Sequence, residues 1–164
     1  YGKTTGEFGA EGEGILRVWT NFNSYIAGEN SYGRITTGYL YSVTKDQVDA
    51  INSHFSNLVA NAETRKSKHP HQNEYKLRAN YHGVTNNCAT MTLNGAKIAL
   101  PEIESGSSAF NIGRGMSSSE KFAARARGFG AWPSRIFMPP DVQAMLEANT
   151  SHKPSRTTIY GTKK

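Results

Sequence analysis

The chain holds one cysteine, Cys88, so no internal disulfide can form. It has no apolar run near the ~18 residues of a membrane-spanning helix, and its opening residues do not read as a basic-then-apolar signal segment. There is no repeat and no heptad pattern. None of the 16 glycines stands in the strand-to-helix setting of a phosphate-binding loop. Within these 164 residues the absences exclude a disulfide scaffold, a helical membrane span, a solenoid and a P-loop. Acids are also scarce: 13 Asp+Glu against 19 Lys+Arg leave a net charge of +6. The bases cluster. Arg65, Lys66, Lys68, Lys76 and Arg78 face only Glu74 in the 65–78 stretch, and Lys153, Arg156, Lys163 and Lys164 face no acid at 152–164. Such patches suit an anionic surface, nucleic acid or an acidic partner, with a solvated basic surface as the plain alternative.

What is present fits a single domain over 1–164, with a full core. The Gly-rich stretch 1–14 reads as a flexible lead-in and 152–164 as a basic tail. The chain opens at Tyr1-Gly2-Lys3 rather than Met, as expected of a processed precursor or the C-terminal piece of a longer protein. Ile15–Trp19 is dense in β-branched and aromatic residues and predicts a strand. Asn21–Gly33 reads as turns and Arg34–Val43 as extended. Thr44 with Gln47 forms a capping box, after which Val48, Ile51, Phe55, Leu58, Val59 and Ala62 recur at helical spacing. Arg65–Asn73 reads as a basic loop. Its His69-Pro70-His71 lacks the further ligands of a metal site, so no metal or other cofactor is assigned. Tyr75–Ala79 predicts a short strand and Gly106–Met116 a flexible loop. Ser117 with Glu120 caps a short basic helix stopped by Gly128. Ser134–Met138 predicts a strand, Pro139-Pro140-Asp141 a last helix with Val142, Met145 and Leu146 inward, and Thr157–Tyr160 a final strand.

The informative stretch is Tyr81-His82-Gly83-Val84-Thr85-Asn86-Asn87-Cys88-Ala89-Thr90-Met91-Thr92. A polar loop turns here into a helix running to the residues before Pro101. Asn86 or Asn87 can cap it, and Cys88 then falls in its first turn, where free N–H groups and the helix dipole favour a thiolate. A thiolate is the attacking form of a cysteine nucleophile. The plain alternative is a small buried cysteine. Asn86 and Asn87 are candidates for an oxyanion site beside the Cys88 N–H, with ordinary capping as the alternative. A base is needed within hydrogen-bond reach, and the histidines after His54 are His69, His71, His82 and His152. His82 precedes Cys88 in one loop and reaches it only if that loop folds back. His152 gives the Cys-then-His order of unpermuted papain-like enzymes.

Tyr81 followed by Asn86-Asn87-Cys88-Ala89-Thr90 resembles the nucleophile segment of permuted papain-fold cysteine hydrolases, the lecithin–retinol acyltransferase-like group, and is similar to papain-fold toxins of bacterial secreted effectors. Met138-Pro139-Pro140-Asp141-Val142 with Leu146 resembles a Pro-started helix that follows in such proteins. The resemblance covers about a dozen residues. It implies an α+β fold, an antiparallel sheet packed against the nucleophile-bearing helix, papain-like and circularly permuted. It further implies a cysteine hydrolase or acyltransferase attacking an amide, ester or thioester carbonyl through Cys88, with His152 or His82 as base. The implied substrates are peptidoglycan, phospholipid or protein, and the implied setting is a secreted or delivered toxin with a cognate immunity protein. One departure stands: the permuted family carries its histidine on a strand well before the cysteine, and no histidine precedes His54 here. A histidine upstream of Tyr1 would resolve it. Two other classes remain open. One is a nucleic-acid binder or nuclease using Arg65–Arg78, Lys121, Arg125 and Arg127 with Tyr75 and Tyr81 stacking; the other is a non-catalytic interaction domain.

Overall fold

The structure, a computed structural model, describes residues 11–161. In order these are β1 (Glu11–Gly12), β2 (Ile15–Trp19), α1 (Phe22–Ser31), β3 (Thr36–Leu40), α2 (Lys45–Val59), β4 (Glu63–Arg65), β5 (Gln72–Lys76), β6 (Tyr81–His82), α3 (Cys88–Ala99), α4 (Ser118–Arg127), α5 (Pro139–Ala148) and β7 (Arg156–Tyr160). The fold is α+β. All pairings are antiparallel: a three-stranded sheet β2-β5-β4 and two two-stranded ones, β1-β6 and β3-β7. In the larger sheet Ile15 faces Lys76 and Trp19 faces Gln72.

The core lies in three apolar clusters that meet along α3. Met91 packs with Leu16 and Leu77, under Phe55, Leu58 and Val59 of α2. Leu93 packs with Ile136 and with Met145 of α5. Val84, just before α3, packs with Ala124 of α4 and with Phe137. Helices α2 and α3 approach closely because α3 has Gly95 at the crossing, where a Cβ would come within 2.6 Å of the Phe55 ring.

Local signals hold where they are strong. Thr44–Gln47 and Ser117–Glu120 both close as capping boxes, and the prolines start α5. Four expectations are corrected. Asn21–Gly33 is largely helix: Asn21 accepts the Ser24 N–H at 2.9 Å, and Trp19 lies across Gly28. The 65–73 loop is confined to residues 66–71 as the connection of the β4-β5 hairpin, and the second strand starts at Gln72 instead of Tyr75. Ser134–Met138 is no strand. Ile136 and Phe137 are fully buried without a ladder, because their side chains fill the clusters beside α3 and the Phe137 carbonyl is taken by Asn87. The 106–116 loop is held rather than free. The wholly buried Asp141 carboxylate accepts the N–H groups of Ile112, Gly113 and Arg114 at 2.7–3.2 Å, and the Arg114 guanidinium at 2.8 Å.

The lead-in is also pinned at its end. Glu11 and Gly12 pair with His82 and Tyr81, and Glu13 bonds Arg65 and Lys76 at 2.8 and 2.6 Å. Residues 1–10 of that lead-in, and 162–164 of the tail, lie outside the described residues.

Candidate functional site around Cys88

Asn87, not Asn86, is the cap. Its Oδ1 accepts the Thr90 N–H at 3.0 Å, and the Thr90 hydroxyl accepts the Asn87 N–H at 2.8 Å. Its Nδ2 donates to the carbonyls of Gly83 at 2.7 Å and Phe137 at 2.9 Å. Both amide N–H bonds therefore go to the main chain, and the side chain is buried. This ties the loop 83–87, the 137 segment and the start of α3 into one rigid corner. Cys88 follows as the first helical residue, and its side chain is exposed. The first-turn N–H groups of Cys88 and Ala89 have no partner within the helix and lie next to the thiol.

Two tyrosines lie within electrostatic reach of it. Tyr25 of α1 and Tyr81 of β6 are both half-buried. Burial pushes both phenols up, and negative charge on Cys88 pushes them further; for Tyr25, Glu29 adds to the rise while Thr36 and Arg34 oppose it. Both phenols therefore keep their protons at neutral pH. Tyr81 belongs to the motif. Tyr25 was missed, because it lies on a helix whose sequence reads as turns. Asn21-Phe22-Asn23-Ser24 just after a strand was the available signal, as a cap followed by a helix start.

The loop does fold back. His82 and Asn86 exchange main-chain hydrogen bonds at 2.9 Å in both directions. The His82 ring, however, turns its Nδ1 into the loop, where it accepts from the Val84 and Thr85 N–H groups at 3.3 and 3.2 Å and lies 3.0 Å from the Thr85 hydroxyl. Two fixed donors at Nδ1 place the ring proton on Nε2, so the neutral ring has no vacant lone pair to offer outward.

His152 belongs to another place. Its N–H donates to Asn149 Oδ1 at 2.8 Å, and Asn149 reaches the Ile103 carbonyl, beyond the C-terminal end of α3. Cys88 is at the opposite end of that helix, about 18 Å of rise away. The structure thus brings Cys88, Tyr25, Tyr81, Asn86, Asn87 and His82 into one region and leaves His152 outside it. His69 stacks near Trp19 at 5.3 Å, and His54 lies edge-on to Phe55 at 5.2 Å. Among the described residues no three His, Cys, Asp or Glu side chains gather as metal ligands.

The neighbouring concavity is an open groove of about 400 Å³. Leu58, Leu77 and Met91 contribute apolar lining, and His54, Asn57, Asn61, Arg78, Asn86 and Asn94 the polar part. Asn86 joins this groove to the Cys88 loop, and its Nδ2 donates to the Asn80 carbonyl. The 65–78 basic stretch is less charged than it reads, since Arg65 and Lys76 both pair with Glu13. Tyr75 packs against the Leu16-Leu77-Met91 cluster instead of presenting a stacking face. No helix among the described residues is long and apolar enough to cross a membrane.

No family model, curated protein or solved structure matches this chain.

Proposed function

We propose that the protein is a cysteine hydrolase or acyltransferase acting through Cys88 on an amide, ester or thioester carbonyl, with the papain-like, permuted arrangement that the Tyr81–Thr90 motif resembles. One observation carries it. The only thiol is exposed at the first residue of a tightly capped helix, with two protonated phenols within electrostatic reach of it. The Cys88 sulfur attacks the carbonyl carbon. The oxyanion takes hydrogen bonds from the first-turn N–H groups and from Tyr25 or Tyr81. Collapse expels the amine, alcohol or thiol, and water or an acceptor then releases the acyl group from sulfur. The base is either His82, after its ring turns to free a nitrogen, or a histidine upstream of Tyr1. The chemistry suits a peptide, cell-wall peptide or lipid acyl donor, and the motif's resemblance to papain-fold effector toxins supports a secreted or delivered setting.

An activated ester such as p-nitrophenyl acetate tests this directly. The expected result is a burst of about one equivalent of nitrophenol and an acyl group on Cys88. The burst should vanish in Cys88→Ser and slow at least about tenfold in Tyr25→Phe/Tyr81→Phe. No burst, with alkylation of Cys88 no faster than that of free cysteine, would overturn the hydrolase reading. His82→Ala separates the two sources of base, since only an internal base is lost with it.

A further inference from the structure

Helix α4 and the turn that follows it carry two phenylalanines that the fold does not use, Phe122 in mid-helix and Phe129 just past the Gly128 cap. Phe122 is 75% exposed and Phe129 104% exposed. Ala124, rotated about 200° from Phe122 around the helix, is fully buried and supplies the inward contact. The Gly130 N–H bonds back to the Arg125 carbonyl at 2.9 Å, closing the turn that ends the helix. Phe129 therefore occupies the left-handed position of that closure, at φ 54°, a position where glycine is the favoured residue. A bulky ring held there in solvent is unfavourable to the fold twice over, in backbone strain and in exposed apolar surface. Lys121, Arg125 and Arg127 stand on the same short helix as Phe122 and just before the turn that carries Phe129. Lys121 and Arg127 form no ion pair among the described residues, Arg125 lies over Trp132 at 5.8 Å, and the one acid of the helix, Glu120, is turned into the Ser117 cap.

We infer that this region is an anchor for an anionic lipid surface, with Phe122 and Phe129 entering the headgroup–acyl boundary and the three cations meeting lipid phosphates and carboxylates. The area argues for lipid over protein. Two phenylalanine side chains offer about 300–500 Å², short of the ~800 Å² per partner of a stable protein interface. A second copy is disfavoured by like charge, each chain carrying +6. Single-stranded nucleic acid is tracked by a charged groove, whereas the grooves near Asn86 and near Glu147 are lined by other elements. Exposed aromatic and basic residues together on one short helix and its closing turn are the composition of an interfacial anchor.

The test is sedimentation of the full chain with vesicles of phosphatidylcholine alone or with about one-third phosphatidylserine, beside a fluorescent single-stranded DNA titration. Expected is binding to the anionic vesicles that weakens with salt, and weak binding to the neutral ones. Phe129→Gly should reduce vesicle binding at least about tenfold while raising the melting temperature, because it relieves the left-handed strain. Phe122→Ser should reduce binding similarly without unfolding. Absent vesicle binding at low salt overturns the inference. So does vesicle binding that both variants retain, which would assign it to basic residues elsewhere. DNA binding that falls in Phe129→Gly while vesicles are ignored overturns it in favour of nucleic acid.

Discussion

Asn87 sets the position of the thiol more than Cys88 itself does. One side chain caps α3 and holds two carbonyls from the flanking segments. Asn87→Ala removes the cap and orphans both carbonyls, so we expect a loss of about 2–3 kcal/mol, read by chemical denaturation. The alkylation rate of Cys88 should change with it. The second anchoring residue is Asp141. Its carboxylate gathers three N–H groups and Arg114 in a buried site, and Gly113 takes φ 69° within that turn. Asp141→Ala leaves these donors unpaired and should cost about 3–5 kcal/mol. Neither role is visible in a residue read singly. Asn87 is legible as a cap because capping is local, whereas Asp141 reads as a first-turn acid and its partners come from a distant loop.

At the scale of elements, the crossing of α2 and α3 places the Cys88 helix against the sheet. Gly95→Ala drives a methyl into the Phe55 ring and should cost about 1–3 kcal/mol by overpacking. Phe55→Leu in that background should recover much of the loss in the same unfolding measurement, whereas a loss that persists would place the strain in the backbone. The elements that sequence reading locates are those with self-contained signals: the α2 stripe, two capping boxes and the Pro-started α5. Those it misses depend on neighbours. Helix α1 has no buried residue and leans on Trp19 and its cap. The 134–138 run has strand composition and no partner strand, because its side chains are needed inward beside α3.

For the whole molecule, acid should act through two carboxylates that tie segments together. Hydrogen bonds from Arg65, then Lys76, hold Glu13 down to about 2 from 4.5. At Glu104 burial acts upward, but Arg135 and Lys97 prevail and the carboxyl is lowered. Both folded values lie below the unfolded ones. The stabilisation is therefore complete above about pH 4.5 and lost as pH falls towards about 2. Melting temperature against pH should drop across that window, and Glu104→Gln should shallow the slope. At the alkaline end burial and the bond to Glu147 push Tyr39 from 10.0 up to about 12, so its contribution is complete below about pH 10 and is lost as pH rises towards about 12.

By itself the sequence determined the α+β composition, the basic charge, the lone thiol at a helix start and most helix boundaries, because each follows from local backbone chemistry or from counting. The tertiary structure decided which groups surround that thiol. Tyr25 arrives from α1, and His82 returns in a folded loop with Nδ1 already engaged. His152 stays beyond the far end of α3. Those placements depend on contacts between segments far apart in the chain, which spacing along a single segment does not encode.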